Sequence, residues 1–374
     1  MKKIELMLVS ALALIFAACQ EKPVPPDTPY IIEGEVTSVE DGTIMVLYEE
    51  DGIRLAMDTI INGKFSFKSQ INDGNSSLYL SLHVGKTYSS FVNIHVKPGI
   101  KVKITGDGFI PELWEIDCST PRQLITNELN IAAREEIAAY DKLDFNLTGG
   151  GMKGIKMNDV DRLFAAYQAV VGKKLERLRN MQVSDEWMEE LLYYLKYNAR
   201  QASFPHRELF VSLYGKLSDT QKQSVLGQEI YTTLNPPQQA KVGEPFPDAD
   251  FYDLQGNLHH ISEFKGKYVL LDFWSRGCRP CLQSFPIMKE MYEQVGDKLA
   301  IISISIDSEE HWRIASEKHE ITWNNWNELK GKAGLYTNYR INAIPFYVLI
   351  NPEGKIMDTI RGFNRNYILE SIGE

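Results

Sequence analysis

The sequence predicts a multidomain chain: an N-terminal antiparallel β-sandwich, a central α-helical region and a C-terminal α/β layered domain. Three observations predict it. Residues 30–118 break into short alternating stretches separated by turn signals, residues 119–234 change to apolar spacings of three and four, and residues 235–374 alternate strand-like with helix-like runs. A length of 374 residues suits two or three domains at roughly 100–200 residues each. The net charge of −10, with no long basic run, excludes a phosphate-tracking surface, so no nucleic acid is expected as a partner.

The chain opens with MKKIELMLVSALALIFAAC, residues 1–19. Lys2 and Lys3 supply a positive start, Leu6 to Phe16 form an apolar run, and Ala17 and Ala18 precede Cys19 as small residues precede a cleavage site. The run is shorter than the ~20 residues a membrane-spanning helix needs. It resembles the lipobox of bacterial lipoproteins, which implies lipidation of Cys19 and an exported chain, lipid-anchored to a bacterial membrane, the outer one by preference, and facing the periplasm. Glu5 in a basic leader and Phe16 in place of Leu depart from that pattern; the plainer alternative is a cleaved secretion signal. Export makes the remaining cysteines oxidisable. The proline-rich residues 20–29 read as a tether.

In residues 30–118 the stretches IIEGEVTSV, TIMVLYEE, IRLAMDTII, FSFKSQI, LYLSLHV, FVNIHV and KVKITGD fit strands, with Asn62-Gly63 a tight turn. This domain shows no catalytic constellation. His83 and His95 are expected at wet strand edges, and Cys118, in WEIDCS, as a small buried hydrophobe.

Residues 119–234 read as helical. Asn158 is placed to cap a helix with Leu163, Tyr167, Val170, Val171, Leu175 and Leu178 on one face; Ser184 opens another with Trp187, Met188, Leu191, Leu192 and Leu195 as its stripe. The glycine run TGGGMKG, 148–154, lacks the Lys-Ser/Thr ending of a phosphate loop.

Asn235-Pro236-Pro237 marks the last boundary. Beyond it come a hairpin around Gln255-Gly256-Asn257, the buried strand YVLLDFW, a helix over 279–295, the strand LAIISISI, helical material, FYVLI, the turn NPEG, KIMDTIRG and a final helix.

Between the first of these strands and its helix lies WSRGCRPC, with Cys278 and Cys281. A zinc site needs four ligands, and the sequence offers no second pair; His259 and His260 are adjacent on a strand and point to opposite faces. No metal or other cofactor is expected. A disulfide closing so short a loop would restrain little chain entropy, so a mere staple is a poor use of the pair. A redox centre fits better. Cys278 directly precedes a helix, whose free N–H groups stabilise a thiolate, with Arg279 next door and Pro280 suited to the first turn. A fall in pKa from about 8.5 toward 7 at such a place is worth about 2 kcal/mol. Cys281, one turn on, can displace whatever the first sulfur captures. Asp272 sits in an apolar strand, where burial raises its pKa toward the range of general acid–base work.

DFWSRGCRPC, with Asp272 six residues before Cys278, Pro286 five residues after Cys281, and IPFYVLI carrying Pro345, resembles the thioredoxin superfamily. The opening VGEPFPDADFYDLQGNLHHISEFKGKYVLLDFW resembles its exported TlpA/ResA type, and the layout is similar to lipoproteins that join a β-rich domain, a helical segment and a thioredoxin-like C-terminus. The boundaries read from the chain, at 1–19 (signal), 20–29, 30–118, 119–234 and 235–374, follow that layout. The resemblance implies Cys278 as nucleophile, Cys281 as resolving thiol, Asp272 for proton transfer, a redox disulfide between the cysteines, and a substrate surface of Trp274, Gly277, Ile344 and cis-Pro345. Gly277 stands where the family usually has Trp, and Ser284 where many exported relatives carry a buried Glu, which leaves proton handling to Asp272 alone.

The function so implied is thiol–disulfide exchange with protein thiols and disulfides of the cell envelope, as reductase or isomerase, served by a membrane or periplasmic reductant. Two alternatives are a thiol peroxidase of the AhpC/TSA kind, whose motif would need Pro at Leu271, and a non-enzymatic binding lipoprotein.

Overall fold

The computed structural model describes residues 24–25, 27–49, 54–70, 76–85, 87–148, 156–201 and 203–374. The leader with Cys19, part of the tether and nearly all of the glycine run lie outside them. Among the described residues no helix is long and apolar enough to cross a membrane. The chain divides into two compact units, residues 1–180 and 181–374, so the helical stretch expected over 119–234 is shared between them.

The first unit carries strands β1 (Tyr30–Thr37), β2 (Ile44–Glu49), β3 (Arg54–Thr59), β4 (Lys64–Ser69), β5 (Ser76–Val84), β6 (Thr87–Tyr88), β7 (Val92–Val96), β8 (Lys101–Asp107) and β9 (Glu115–Asp117). Helices α1 (Pro121–Ala132), α2 (Arg134–Thr148) and α3 (Met157–Arg179) follow. Two sheets, ordered β4-β1-β8-β9 and β3-β2-β5-β6 with β7 on β5, share one hydrophobic core to which both contribute alternate residues, among them Ile32, Phe67, Leu47 and Leu80. The expected all-antiparallel pairing needs correction: β1 runs parallel to β8. Alternation along a strand fixes which face is buried, whereas direction depends on the connection. Here β2 to β7 intervene between β1 and β8, and they supply the second sheet as well as β4 of the first. Asn62 and Gly63 form the expected turn, both left-handed (φ 51° and 73°).

Two other expectations change. His95 is not at a wet edge; it is 4% exposed, because α1 covers β7 and Thr126 on that helix meets its Nε2 at 3.1 Å. Helix α3 begins at Met157 after Lys156, with Asp159 accepting the Lys156 N–H, so Asn158 lies inside it. Cys118 is buried as expected.

The second unit opens with α4 (Asp185–Asn198), α5 (Arg207–Tyr214), α6 (Asp219–Gln223) and α7 (Val225–Leu234). Ser184 caps α4 by accepting the Trp187 N–H at 3.2 Å. Then come β10 (Phe251–Tyr252), β11 (Leu258–His259), β12 (Tyr268–Trp274), α8 (Arg279–Val295), β13 (Leu299–Ser305), α9 (Glu309–Lys318), β14 (Asn324–Asn327), α10 (Leu335–Asn338), β15 (Phe346–Ile350), β16 (Ile356–Arg361) and α11 (Arg365–Ser371). Their seven-stranded sheet has the order β11-β10-β14-β13-β12-β15-β16, with β12 parallel to β13 and antiparallel to β15. As a central strand β12 is apolar on both faces. Val269, Leu271 and Phe273 join one core, while Leu270 and Trp274 join the other, with Cys278, Cys281 and Met288. Asp272 belongs by alternation to this second face, the one packed on α8.

Candidate active site

Helix α8 begins where β12 ends. The loop between them is pinned at Arg276, whose backbone N–H donates to Asp307 Oδ2 at 2.7 Å, and Asp307 also takes a 3.2 Å bond from Ser305 Oγ. Burial raises the Asp307 pKa, against the Arg276 and Ser305 contacts that favour its charged form. Cys278 is the N-cap of α8, and its Sγ accepts the Cys281 backbone N–H at 3.2 Å. This is the donor a thiolate at a helix start is expected to find. Pro280 costs no hydrogen bond in the first turn. A disulfide joins Cys278 to Cys281 across a Cα–Cα distance of 5.3 Å. Cys278 keeps 7% exposure and Cys281 none, so the outer sulfur is the more accessible of the two.

Behind the pair lies a chain of buried polar groups. Asp272 has no exposure, and it stands in register between Ser303 on β13 and Tyr347 on β15. Ser303 Oγ donates to Asp272 Oδ2 at 2.8 Å and itself accepts the Trp323 indole N–H at 2.8 Å. The Tyr347 hydroxyl also favours the Asp272 carboxylate, while its hydrogen bond is with Ser284 Oγ at 3.2 Å. Ser284 in turn donates to the Cys281 carbonyl at 2.6 Å. Burial outweighs the two hydroxyls and lifts the Asp272 pKa to about 7. A carboxyl with that pKa can take or release a proton near neutrality. Burial and the Asp272 charge raise the Tyr347 pKa too, so its hydroxyl stays protonated.

The peptide bond between Ile344 and Pro345 is cis, and both residues are half-buried. Ile344 packs against both cores, so this loop crosses the edge between the two faces of the sheet. Gly277 has open space around its missing side chain. Trp274 corrects the sequence reading: it is wholly buried, edge-on to Phe285 at 5.2 Å, and so packs in the core rather than lining a substrate surface. It ends an interior strand and faces α8, and burial there claims the whole ring. Among the described residues no cluster of His, Cys, Asp and Glu could hold a metal ion.

Residues 266–356 match the family model described as thioredoxin-like. ResA, a thiol-disulfide oxidoreductase of Bacillus thuringiensis, is 30% identical over 129 residues, covering 33% of this chain and 70% of that protein. The chain belongs to the thioredoxin-like family, with the ResA-type thiol-disulfide oxidoreductases. The thioredoxin-like protein YneN of Bacillus subtilis is 29% identical over 31% of this chain and 69% of its own length. Among solved structures, the thioredoxin domain of a thiol-disulfide oxidoreductase from Bacteroides vulgatus is 32% identical, covering 36% of this chain and 96% of that one, with a TM-score of 0.33. All these matches fall on part of the chain, and the β-rich unit of this thioredoxin-like protein takes no share in the family-model match.

Of the predicted residues, Cys278 and Cys281 lie at the start of α8, Asp272 on the face of β12 that packs on that helix, and the cis-proline loop at the start of the neighbouring strand β15. Ser303, Tyr347, Trp323 and Asp307 were not singled out from the sequence of this thioredoxin-like protein. The one signal, for Ser303 and Tyr347, was a polar residue in each apolar strand flanking YVLLDFW. Using it requires the strand register.

Proposed function

We propose that this chain is an envelope thiol-disulfide oxidoreductase that exchanges disulfides with protein partners through Cys278 and Cys281, as a reductase or isomerase. The observation that carries the reading is the disulfide at the start of α8, its outer sulfur held by a helix N–H and a protonatable carboxyl buried behind its inner one. In the dithiol form, the Cys278 thiolate attacks a partner's disulfide. A mixed disulfide forms, and the partner's other sulfur leaves as a thiolate that takes a proton. Cys281 then gives its proton to the Asp272 carboxylate and attacks Cys278 Sγ. That restores the Cys278–Cys281 disulfide and releases the partner's second sulfur, so two electrons pass to the partner. A dithiol reductant of the envelope returns the pair to its starting form. The cis loop at Ile344 and Pro345 supports an extended partner segment: proline has no N–H to compete, and the Ile344 backbone can pair with the arriving strand. Lipidation at Cys19 would hold the protein at the outer membrane, facing the periplasm.

The test is insulin reduction with dithiothreitol, which Cys278→Ser abolishes. Cys281→Ser accumulates mixed disulfides with envelope proteins. Equal accumulation by Cys278→Ser would contradict the assigned roles.

A further inference from the structure

A cavity of about 570 Å³ opens beside the cis-proline loop, within the second unit. Its charged lining is all of one sign: Lys241, Arg340 and Arg361, among Tyr339, Phe346 and Thr359, with no carboxylate lining it. In a chain with 40 Lys and Arg against 50 Asp and Glu, three cations around one concavity run against the overall balance. The nearby Glu244 carboxylate is engaged with the Lys241 backbone N–H at 3.1 Å.

The walls are built. The strap over one side is fixed by the Ala240 N–H on the Asn338 carbonyl (2.9 Å) and the Gly243 N–H on the Ile356 carbonyl (2.8 Å). Tyr339 and Phe346 are buried in the core beneath. Arg340 holds a left-handed backbone, φ 50°, a conformation that costs a non-glycine residue stability and that collects at functional places. The cavity lies on the face of the sheet opposite the cysteines, and the cis-proline loop, whose Ile344 packs against both cores, joins the two. Phe346 directly follows Pro345, Arg361 is its register partner, and the Gly362 N–H donates to the Pro345 carbonyl at 3.1 Å. Ile344 lies two residues from Phe346, or roughly 7 Å along extended chain. A partner segment laid on the Ile344 backbone therefore reaches this cavity within a few residues of its own cysteine.

We propose that the cavity lined by Lys241, Arg340 and Arg361 is an exosite for an acidic segment of the partner protein, next to the disulfide being exchanged. The proposal rests on the exchange reading above and adds the chemistry of the preferred partner. Cations at the rim of an interface act mainly on encounter and specificity, and salt weakens them.

The experiment uses the full-length dithiol protein and three disulfides. Two are synthetic peptides of equal length with one internal disulfide, flanked in one by Asp and Glu and in the other by Ser and Gln; the third is hydroxyethyl disulfide. The wild type is expected to reduce the acidic peptide with kcat/KM at least five-fold above the neutral one in 20 mM salt (about a 20 Å Debye length), and near parity in 0.5 M salt. The double variant Arg340→Asn, Arg361→Gln loses that preference and keeps the hydroxyethyl disulfide rate, which reports an intact site; Asn suits the left-handed position. Equal rates for the two peptides with the wild type, or a preference that survives in the double variant, would overturn the exosite. A wild type that reduces none of the three disulfides would overturn the exchange reading itself, and the exosite with it.

Discussion

The Ser284 and Tyr347 hydroxyls meet at 3.2 Å behind Cys281, Ser284 from the helix that carries the disulfide and Tyr347 from the strand beside Asp272. Tyr347 is the register partner of Asp272, so the two hydroxyls stand between the buried carboxyl and the turn of helix that holds Cys281. Tyr347→Phe removes the hydroxyl that favours ionised Asp272 but leaves Ser284 its bond to the Cys281 carbonyl. The Asp272 pKa then moves above about 7. On the mechanism proposed, Asp272 must be ionised to accept the Cys281 proton, so the acidic limb of insulin reduction against pH should move upward, with little loss at pH 9. A purely structural tyrosine would lower the rate equally at every pH. The loss of one hydrogen bond should cost about 1 kcal/mol of stability.

Asp272 is stabilising only when protonated. Its folded pKa is about 7, against 3.8 for an ordinary aspartate, so between those limits the folded state binds more protons and stability falls as pH rises; above 7 the loss is complete. Over about three pH units at 1.36 kcal/mol each, the deficit is on the order of 4 kcal/mol. With the disulfide intact, Asp272→Asn should therefore raise the urea midpoint at pH 8, with a gain that shrinks steadily toward pH 4, while exchange activity drops. An equal gain at both pH values would show that charge at Asp272 is not the cause.

The fold was legible wherever burial has a period. YVLLDFW, LAIISISI and FYVLI are continuous apolar runs, and each is an interior strand; the helix expected over 279–295 is α8 (Arg279–Val295). Strand direction was not legible, since β1 alternates identically beside parallel β8 and antiparallel β4. The cysteines and Asp272 stood out because each is chemically out of place in its surroundings. Ser303 and Tyr347 did not, because hydroxyls are ordinary in strands and these two acquire meaning only from neighbours distant in sequence; Ser284 stood out only as the residue in place of a buried Glu. The same blindness puts Trp274 on a surface and His95 at an edge: the burial of each depends on which helix covers its strand.

Gly277 offers a test of access. An added Cβ meets nothing within 4 Å, and its φ is not among the positive values, so a side chain can start there without backbone strain. Gly277→Trp should leave stability within about 0.5 kcal/mol. Standing next to Cys278 it should slow reduction of insulin several-fold more than that of hydroxyethyl disulfide. Equal slowing of both would mean that the substitution disturbs the sulfur rather than the approach to it.

His95 places an acid sensitivity in the first unit. Its ring meets Ser77 Oγ and Thr126 Oγ1, each at 3.1 Å, and desolvation, helped by the charge of Arg122, lowers its pKa from 6.5 to about 3. The unfolded chain takes up a proton at pH 6.5 that the folded one refuses. Stability is therefore full above pH 6.5 and falls as pH drops toward 3, by about 1.4 kcal/mol per unit. Between pH 7 and 5 the loss should be on the order of 2 kcal/mol. Hydrogen exchange of β7 and α1 amides, which reads this unit separately, should show that loss in the wild type. His95→Gln should be less stable at pH 7, by roughly 1–2 kcal/mol for an imperfectly replaced pair of buried hydrogen bonds, yet lose much less between pH 7 and 5. If the variant keeps the full pH slope, the proton responsible binds elsewhere.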